Sequence, residues 1–464
     1  MKKNSMYVCT NCGYEIFGRL GKCPECDEWG TFVEKEEPTK KNSKSSSKKS
    51  NSKPSRRLTE IETTNSDRII TNLEEFNRVM GGGIVKDSVT IVAAKPGAGK
   101  STLLLQVANE LATTGYKVLY ASGEESESQI KSRANRILKN ISPNLWVVSD
   151  NSLDNVLNHI EQIDPDMIII DSIQTFTLEA FPSSRAGSPT QTMECAHELV
   201  SIAKNTDRPR AVFIIGQMTK EDEIAGVRAL EHLVDTVLII EGESGEELRS
   251  LLATKNRYGS TGEMGFFNMS EEGMLSIDNP SEYFMTKRQD NNLVSGSALT
   301  VVREGTRPII LEIESLVSDS FTPYPLRIGE SLKREQLNTL VSILEQRGGI
   351  KLYNKNVVIK TTGGIRLKEQ ASNLATIMSM VSSVLDLGIP NDYVFISDVG
   401  LTGELKKVPS LETRLKEVDR MGFKKAFVTE GYGKNYNVKN IEMVEKKNLK
   451  DVINSVFKNQ IKKS

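Results

Sequence analysis

The chain has 464 residues, of which 38% are hydrophobic and 26% charged, and its formal net charge is −1. This composition is typical of globular proteins, and the length allows two or three domains. The near-zero charge excludes nucleic-acid binding driven by overall charge, so any affinity for DNA must come from local patches. The sequence has no apolar stretch of about 18 residues and no signal peptide at its N-terminus, which predicts a cytoplasmic protein without a membrane span.

The first predicted unit, residues 1–34, contains four of the five cysteines. They form two pairs, Cys9-x2-Cys12 and Cys23-x2-Cys26. In a reducing compartment this pattern indicates metal binding rather than disulfides. Four thiolates on two tight turns are a ligand set for tetrahedral Zn²⁺, and metal binding would supply the folding energy that so small a segment lacks. The sequence therefore predicts a zinc ribbon.

Residues 35–62 are predicted to be a linker. Between residues 38 and 57 the chain carries eight Lys or Arg and no acid, with Ser and Asn between them. Such a segment cannot bury apolar surface. It is either a solvated tether or a contact for DNA phosphates.

Residues 63–278 alternate short apolar runs with amphipathic helical segments; SVTIVAA, KVLYAS, MIIID, AVFIIGQ and VDTVLIIE are examples of these runs. This alternation predicts a mostly parallel sheet covered on both faces. A second α/β unit is predicted for residues 285–464. Cys195 falls in a predicted helix over 192–204, where we expect a buried structural side chain.

A phosphate-binding loop follows the first of these runs and opens a helix. Backbone N–H groups at such a helix start cradle phosphates, while Lys100 reaches the β- and γ-phosphates and the Ser101 hydroxyl binds Mg²⁺. The usual first Gly of the motif is Ala94 here, which tolerates less backbone freedom. The predicted nucleotide-binding residues are Ala94, Lys95, Pro96, Gly97, Ala98, Gly99, Lys100, Ser101 and Thr102.

An acid ends a later apolar strand. Asp171 follows Met167–Ile170, and at the end of a strand beside the phosphate loop it would hold Mg²⁺. The sequence thus predicts ATP and Mg²⁺ as ligands.

Four segments together resemble the RadA/Sms family of bacterial recombination proteins: YVCTNCGYEIFGRLGKCPECDEWGTFVE, the phosphate loop, YASGEES and TKNRYGSTGEMGFF. The similarity runs through nearly the whole chain, although Tyr258 replaces the Phe of the family's KNRFG motif. The resemblance implies an α/β fold with a RecA-like P-loop ATPase core. It also implies single-stranded and branched DNA and the RecA recombinase as partners, a homo-oligomeric, hexameric ring, and a location at the nucleoid.

Within the wider class of RecA and DnaB-type helicases, the resemblance assigns further roles. Glu124 matches the glutamate that orients the attacking water, with Glu125 as the alternative. Gln217 matches a polar sensor of the γ-phosphate. Lys255 and Arg257 match a Lys-x-Arg pair that enters the ATP site of a neighbouring subunit, and an arginine there stabilises the charge of the transition state.

The class also implies DNA-facing loops after two strands, in segments 174–191 and 218–229. Bases on such loops suit contact with the DNA backbone without sequence readout. The candidates are Arg185, Lys220 and Arg228. An ordinary solvated surface remains the alternative.

Residues 285–464 resemble the proteolytic domain of Lon proteases. By this alignment Ser372 stands at the position of the nucleophile, but Glu412 stands where the lysine of the Ser–Lys dyad should be. Such a dyad needs a lysine amine to take the serine proton. We therefore expect a catalytically inactive scaffold. The RadA/Sms resemblance implies that such a domain serves ring assembly and duplex-DNA binding, and the candidate phosphate contacts are Lys351, Lys355, Lys360, Arg366 and Lys368. Solvated strand edges are the alternative for these residues.

Three functions remain open on the sequence. The first is a DNA-dependent ATPase and branch-migration helicase of RecA-dependent recombinational repair, which translocates on single-stranded DNA. The second is an ATP-dependent Lon-like protease, disfavoured by Glu412. The third is an ATP-gated binding module with negligible turnover, which follows if Glu124 is structural.

Overall fold

A computed structural model describes residues 6–12, 14–17, 21–26, 28–34, 57, 59, 68–217, 230–242, 245–288, 293–432, 436 and 438–461. It contains two compact units, Met1–Thr63 and Thr64–Ser464. Apart from residues 57 and 59, the predicted linker lies outside the described residues. Among the described helices, none has the length and apolar character needed to cross a membrane.

The N-terminal unit is a small antiparallel sheet with the strand order β2-β1-β3. Its strands are β1 (Met6–Cys9), β2 (Glu15–Phe17) and β3 (Phe32–Glu34). Among the described residues of this unit, the buried core consists of Cys9, Cys23 and Phe32, with Tyr7 and Ile16 packed against them. A core this small leaves metal binding as the source of folding energy.

The second unit begins with a nine-stranded sheet of the order β12-β11-β10-β9-β4-β8-β7-β5-β6. Its parallel strands are β4 (Val89–Ala94), β5 (Val118–Ser122), β6 (Leu145–Ser149), β7 (Met167–Asp171), β8 (Ala211–Gln217) and β9 (Thr236–Glu241). Its antiparallel strands are β10 (Leu248–Asn256), β11 (Met264–Ser270) and β12 (Gly273–Ser276). Strands β4, β5 and β7 are buried along their whole length, as their continuous apolar runs predict.

Helices cover this sheet. They are α1 (Glu74–Val79), α2 (Lys100–Thr113), α3 (Glu127–Ile137), α4 (Leu153–Ile163) and α5 (Pro189–Ala203). Serines cap α3, α4 and α5, and at α3 the Ser126 side chain and the Gln129 side chain form a capping box. The prediction for Cys195 is confirmed, because it is buried on α5 and burial raises the pKa of its thiol to about 12.

A second sheet follows, with the order β15-β16-β14-β13-β17-β20-β21. Its strands are β13 (Ser297–Glu304), β14 (Arg307–Asp319), β15 (Arg327–Gly329), β16 (Lys355–Thr361), β17 (Tyr393–Phe395), β20 (Lys425–Thr429) and β21 (Glu442–Lys446), beside a two-stranded ladder of β18 (Asp398–Val399) and β19 (Leu405–Lys406). The helices are α6 (Pro280–Tyr283), α7 (Arg334–Ile343), α8 (Asn373–Leu385), α9 (Leu411–Arg420) and α10 (Leu449–Ile461).

The two sheets share contacts within the one compact unit. Phe266 on β11 packs edge-to-face on Phe284, with ring centroids 5.5 Å apart. Glu75 on α1 accepts from both Arg307 on β14 and the backbone N–H of Phe266. Each sheet has its own buried core. We therefore propose that residues 63–278 and 285–464 form two domains, which are packed against each other within this unit.

Candidate ATP site and zinc centre

The four cysteines of the N-terminal unit come together. Their sulfur atoms all lie within 4.8 Å of one another. The Sγ atoms of Cys9 and Cys26 are 3.7 Å apart, and those of Cys12 and Cys23 are 3.5 Å apart. Zn–S bonds of about 2.3 Å in a tetrahedron require sulfur atoms roughly 3.8 Å apart. The cluster therefore has the size and chemistry of a Zn²⁺ site.

The phosphate-binding loop connects β4 to α2. Gly97 has φ 78° and Gly99 has φ 102°, left-handed conformations that favour glycine. A Cβ on Gly99 would also approach the Met274 sulfur to 3.0 Å. Ala94, where the motif usually has glycine, lies in the extended ladder of β4 opposite Gln217. Alanine is accommodated at this position because a strand residue needs no positive φ.

Lys100 curls back onto the loop. Its amine donates to the carbonyl oxygens of Ala94 at 3.0 Å and Lys95 at 3.4 Å. Burial lowers the pKa of Lys100, whereas the charges of Asp171 and Glu124 act in the opposite direction. The amine is thus surrounded by the elements that would face a bound triphosphate, and it supplies the loop's positive charge.

Asp171 ends β7 at the same edge of the sheet and is 4% exposed. The hydroxyl of Tyr120 donates to its Oδ2 at 2.5 Å. Tyr120 is fully buried on β5 and also contacts the Ser101 side chain. Burial, and then the charge of Asp171, raise the pKa of this phenol well above its usual value. One phenol therefore links the two predicted Mg²⁺ ligands, a role that sequence reasoning missed.

Glu124 lies just beyond β5, in contact with the ends of two neighbouring strands. Its Oε1 accepts from the Ser172 hydroxyl at 2.5 Å and from Gln217 Nε2 at 2.9 Å. Glu125 instead forms an ion pair with Arg133 on α3. The geometry favours Glu124 over Glu125 as the residue that faces a nucleotide.

The turn that carries Glu124 is tightly packed. The Ser122 hydroxyl accepts from the backbone N–H groups of Glu124 at 3.3 Å and Glu125 at 3.0 Å. A Cβ on Gly123 would lie 2.2 Å from the Thr175 hydroxyl. Only glycine fits there without moving the turn, so Gly123 helps to fix the direction of Glu124.

Lys255 and Arg257 lie at the opposite edge of the sheet. Asn256, between them, pairs with Thr236 at the start of β9, whereas the phosphate loop follows the end of β4. Five strand residues at about 3.3 Å each separate these edges by roughly 16 Å. The two bases are therefore not brought to the phosphate loop of their own chain.

Local contacts hold both bases at that edge. The Lys255 amine donates to the Glu231 carbonyl oxygen, and burial followed by the nearby charge of Arg257 lowers the pKa of Lys255. Arg257 donates to Asp235 at 3.1 Å, while 54% of its side chain remains exposed. Arg257 is thus available to a molecule outside its own ATP site.

The predicted DNA-contacting residues are only partly within the structure. Arg185 is exposed on the segment after β7. Lys220 and Arg228 lie outside the described residues. In the second sheet, Lys355 pairs with Asp319 at 2.7 Å and Lys360 with Glu314 at 3.0 Å, so two of the five predicted duplex contacts are engaged in ion pairs.

Ser372 does not form a dyad. It is completely buried, and its hydroxyl donates to the Glu369 carbonyl oxygen at 2.7 Å. Glu412 pairs with Lys416 on α9 at 2.8 Å. Arg414, also buried, donates to the Glu369 carboxylate at 2.7 Å, and a guanidinium cannot take a serine proton. Among the described residues, no lysine amine is hydrogen-bonded to Ser372, which argues against proteolysis.

The parallel sheet, the phosphate loop at its carboxyl edge, and the acids at the ends of two neighbouring strands define a RecA-like P-loop ATPase. Residues 54–223 match the family model of the AAA domain, and residues 7–34 match the rubredoxin metal binding domain. These matches and the site geometry identify ATP, Mg²⁺ and Zn²⁺ as cofactors of an ATP-hydrolysing enzyme.

Curated relatives extend the comparison to the whole chain. A protein of Bacillus subtilis named DNA repair protein RadA is 43% identical over 92% of this chain and 93% of its own length. One of the same name from Listeria monocytogenes is 41% identical over 96% of both chains, and one from Streptococcus pyogenes is 38% identical over 98% and 99%. A crystal structure of the RadB recombinase aligns with 45% of this chain and 99% of its own at 19% identity and a TM-score of 0.36. The chain belongs to the RadA family of DNA repair proteins.

Proposed function

We propose that this protein is a DNA-dependent ATPase that translocates along single-stranded DNA as a hexameric ring. In this role it drives branch migration of recombination intermediates, together with the RecA recombinase, at the nucleoid. The relatives named as DNA repair proteins support the process. The observation that carries the proposal is the division of the catalytic set between two opposite edges of one sheet, because a ring brings such edges together.

At the carboxyl edge, Lys100 and the loop backbone bind the triphosphate. Ser101 and Asp171 would hold Mg²⁺, which would neutralise negative charge on the phosphate oxygens. Glu124 orients the attacking water and accepts its proton, and Gln217 reports the presence of the γ-phosphate to Glu124 through their hydrogen bond. The Ser172 hydroxyl donates to the Glu124 carboxylate and so helps to orient it.

At the amino edge, Lys255 and Arg257 act on the ATP of a neighbouring subunit. Arg257 stabilises the charge that spreads over the γ-phosphate in the transition state, so hydrolysis depends on how the subunits are arranged. Arg185, Lys220 and Arg228 contact the DNA backbone, which makes turnover responsive to DNA.

DNA-stimulated ATP hydrolysis tests the function directly. Turnover should rise on addition of single-stranded DNA, and forked DNA should be unwound from one tail polarity. Lys100→Ala should abolish both activities, since loss of a fixed charge on the reacting phosphates costs about 100-fold or more. Casein should remain intact in the same reactions. ATP hydrolysis that does not increase on addition of DNA, or degradation of casein, would contradict the proposal.

Mixing two inactive variants tests catalysis between subunits. Arg257→Ala should bind ATP normally and hydrolyse it poorly, since its guanidinium acts mainly in the transition state. In mixed rings with Lys100→Ala, some sites combine an intact loop with an intact arginine, so activity should reappear. A mixture no more active than either variant alone would place the action of Arg257 within its own subunit.

A further inference from the structure

Asp235 is a buried acid that no motif identified. It directly precedes β9, at the amino edge of the sheet, and is completely buried. Its Oδ2 accepts from the Val89 backbone N–H at 3.0 Å, and its own backbone N–H donates to the Val89 carbonyl oxygen at 2.9 Å. The Arg257 backbone N–H donates to the Asp235 carbonyl oxygen at 3.1 Å. The carboxylate is thus fixed between the start of β4 and the turn after β10.

The other carboxylate oxygen of Asp235 holds two cations. Oδ1 accepts from the Lys204 amine at 2.9 Å and from Arg257 Nη1 at 3.1 Å. Asp235 has 1% of its side chain exposed, whereas Arg257 has 54% exposed. A guanidinium carries five N–H donors in a rigid plane. One end of that plane is therefore anchored on a buried, immobile group while the rest extends from the surface.

We infer that Asp235 is a positioning residue, which aims the guanidinium of Arg257 at the ATP of the neighbouring subunit. The inference rests on the proposed action of Arg257 between subunits. A long arginine side chain on an exposed edge samples many rotamers, and ordering it in the transition state would cost conformational entropy. Anchoring the side chain before the subunits meet lowers that entropy cost. The distinguishing consequence is that damage to Asp235 affects the neighbour's site and leaves its own subunit's phosphate loop intact.

Asp235→Asn tests this at nearly constant volume. The amide oxygen retains an acceptor for Val89 N–H, but the charge that binds Arg257 is lost. We expect kcat to fall roughly 10- to 100-fold, as for a misplaced catalytic group, with KM for ATP nearly unchanged. Lys204→Met is the matched control, because it removes the other cation from Asp235 and should leave kcat nearly unchanged.

Mixed rings separate positioning from a structural defect. Asp235→Asn subunits combined with Lys100→Ala subunits should regain activity, since the first supply intact phosphate loops and the second supply correctly anchored arginines. Asp235→Asn combined with Arg257→Ala should not regain it, because both lack a working arginine. Failure of the first mixture to recover would overturn the inference and assign Asp235 to its own subunit's site.

Two further outcomes distinguish this inference from the proposed function. Normal turnover of Asp235→Asn beside a defective Arg257→Ala would overturn the positioning role alone. Normal turnover of Arg257→Ala would instead remove the proposed role of the arginine. If Asp235→Asn does not fold, as judged by the loss of a cooperative thermal transition, Asp235→Glu is tested instead, because it keeps the charge and displaces the carboxylate by one methylene. The positioning role predicts a reduced kcat for Asp235→Glu. Normal turnover of Asp235→Glu would overturn the positioning role.

Discussion

Hydrogen bonds to polar side chains hold the acids of the candidate ATP site in place. Tyr120 is buried among apolar strand residues, and its hydroxyl donates a hydrogen bond to Asp171. Buried polar groups that are fully satisfied fix one arrangement of their neighbours, because every alternative leaves one of them without a partner. Glu124 is exposed, and it accepts from the buried Ser172 hydroxyl and from the exposed Gln217 amide. The orientation of each acid is therefore determined by its hydrogen-bond partners.

Tyr120→Phe should weaken the use of Mg²⁺. The change removes one hydroxyl and leaves Asp171 without its donor, and loss of such an outer partner typically costs about 10- to 100-fold in metal affinity or activity. Titration of ATPase activity with Mg²⁺ measures the shift. Tyr116→Phe, on a half-buried ring beneath the Lys86 amine, is the control. Identical Mg²⁺ dependence in both variants would contradict the role of Tyr120.

Sequence reasoning reached the residues whose chemistry is encoded locally. Lys100 stands in a contiguous motif, and Asp171 ends an apolar run that is visible without a structure. The roles of Tyr120 and Asp235 were not predicted because their partners are distant in sequence. Tyr120 and Asp171 lie on paired strands but are 51 residues apart, and Asp235 and Val89 are 146 residues apart. The sequence does show a polar residue within or next to an apolar strand in both cases. The hydrophobic pattern, however, does not predict which group that residue will hydrogen-bond to.

At the scale of elements, an ion pair joins the two sheets of the second unit. Arg307 Nη1 on β14 donates to both oxygens of Glu75 on α1, at 2.7 and 2.8 Å. Glu75 has 3% of its side chain exposed and Arg307 has 13%. Arg307 also donates to the Asp278 carbonyl oxygen, in the connection between the sheets. This pair fixes the first helix of the ATPase domain on the following domain.

Arg307→Met should destabilise the protein by up to about 3–5 kcal/mol, because it leaves the buried Glu75 carboxylate with the longer ion pair to Arg78 at 3.6 Å. Urea unfolding followed by circular dichroism gives the free energy. Lys287→Met is the control, since Lys287 and its partner Glu282 are both exposed and such surface pairs contribute about 0–1 kcal/mol. Equal losses in the two variants would show that the buried pair does not couple the sheets.

The zinc ribbon should lose its structure when its metal is removed. Cys9→Ser should release Zn²⁺ to a chelating dye, because the cluster supplies most of the folding energy of the N-terminal unit. Basal ATPase activity should persist, since the second unit has its own cores. Cys195→Ala, which removes a thiol outside the cluster, should keep the metal. One equivalent of zinc retained by Cys9→Ser would argue against the four-cysteine site.

For the whole molecule, Lys100 and Arg257 lie at opposite edges of one sheet. If Arg257 acts in catalysis as proposed, each chain holds two half-sites that meet only across a subunit boundary. The proposed function then requires that the enzyme is active only in its assembled state. ATP binding, in contrast, uses the loop of one chain and does not need a neighbour.

Dilution separates these two properties. Specific ATPase activity should fall as the protein is diluted below the dissociation constant of the assembly, because the concentration of completed sites follows mass action. Binding of a fluorescent ATP analogue should continue through the same range. Sedimentation velocity locates the dissociation independently, and its midpoint should coincide with the loss of activity. Constant specific activity at concentrations where the chain sediments as a monomer would mean that each subunit completes its own site, and the role given to Arg257 would then be wrong.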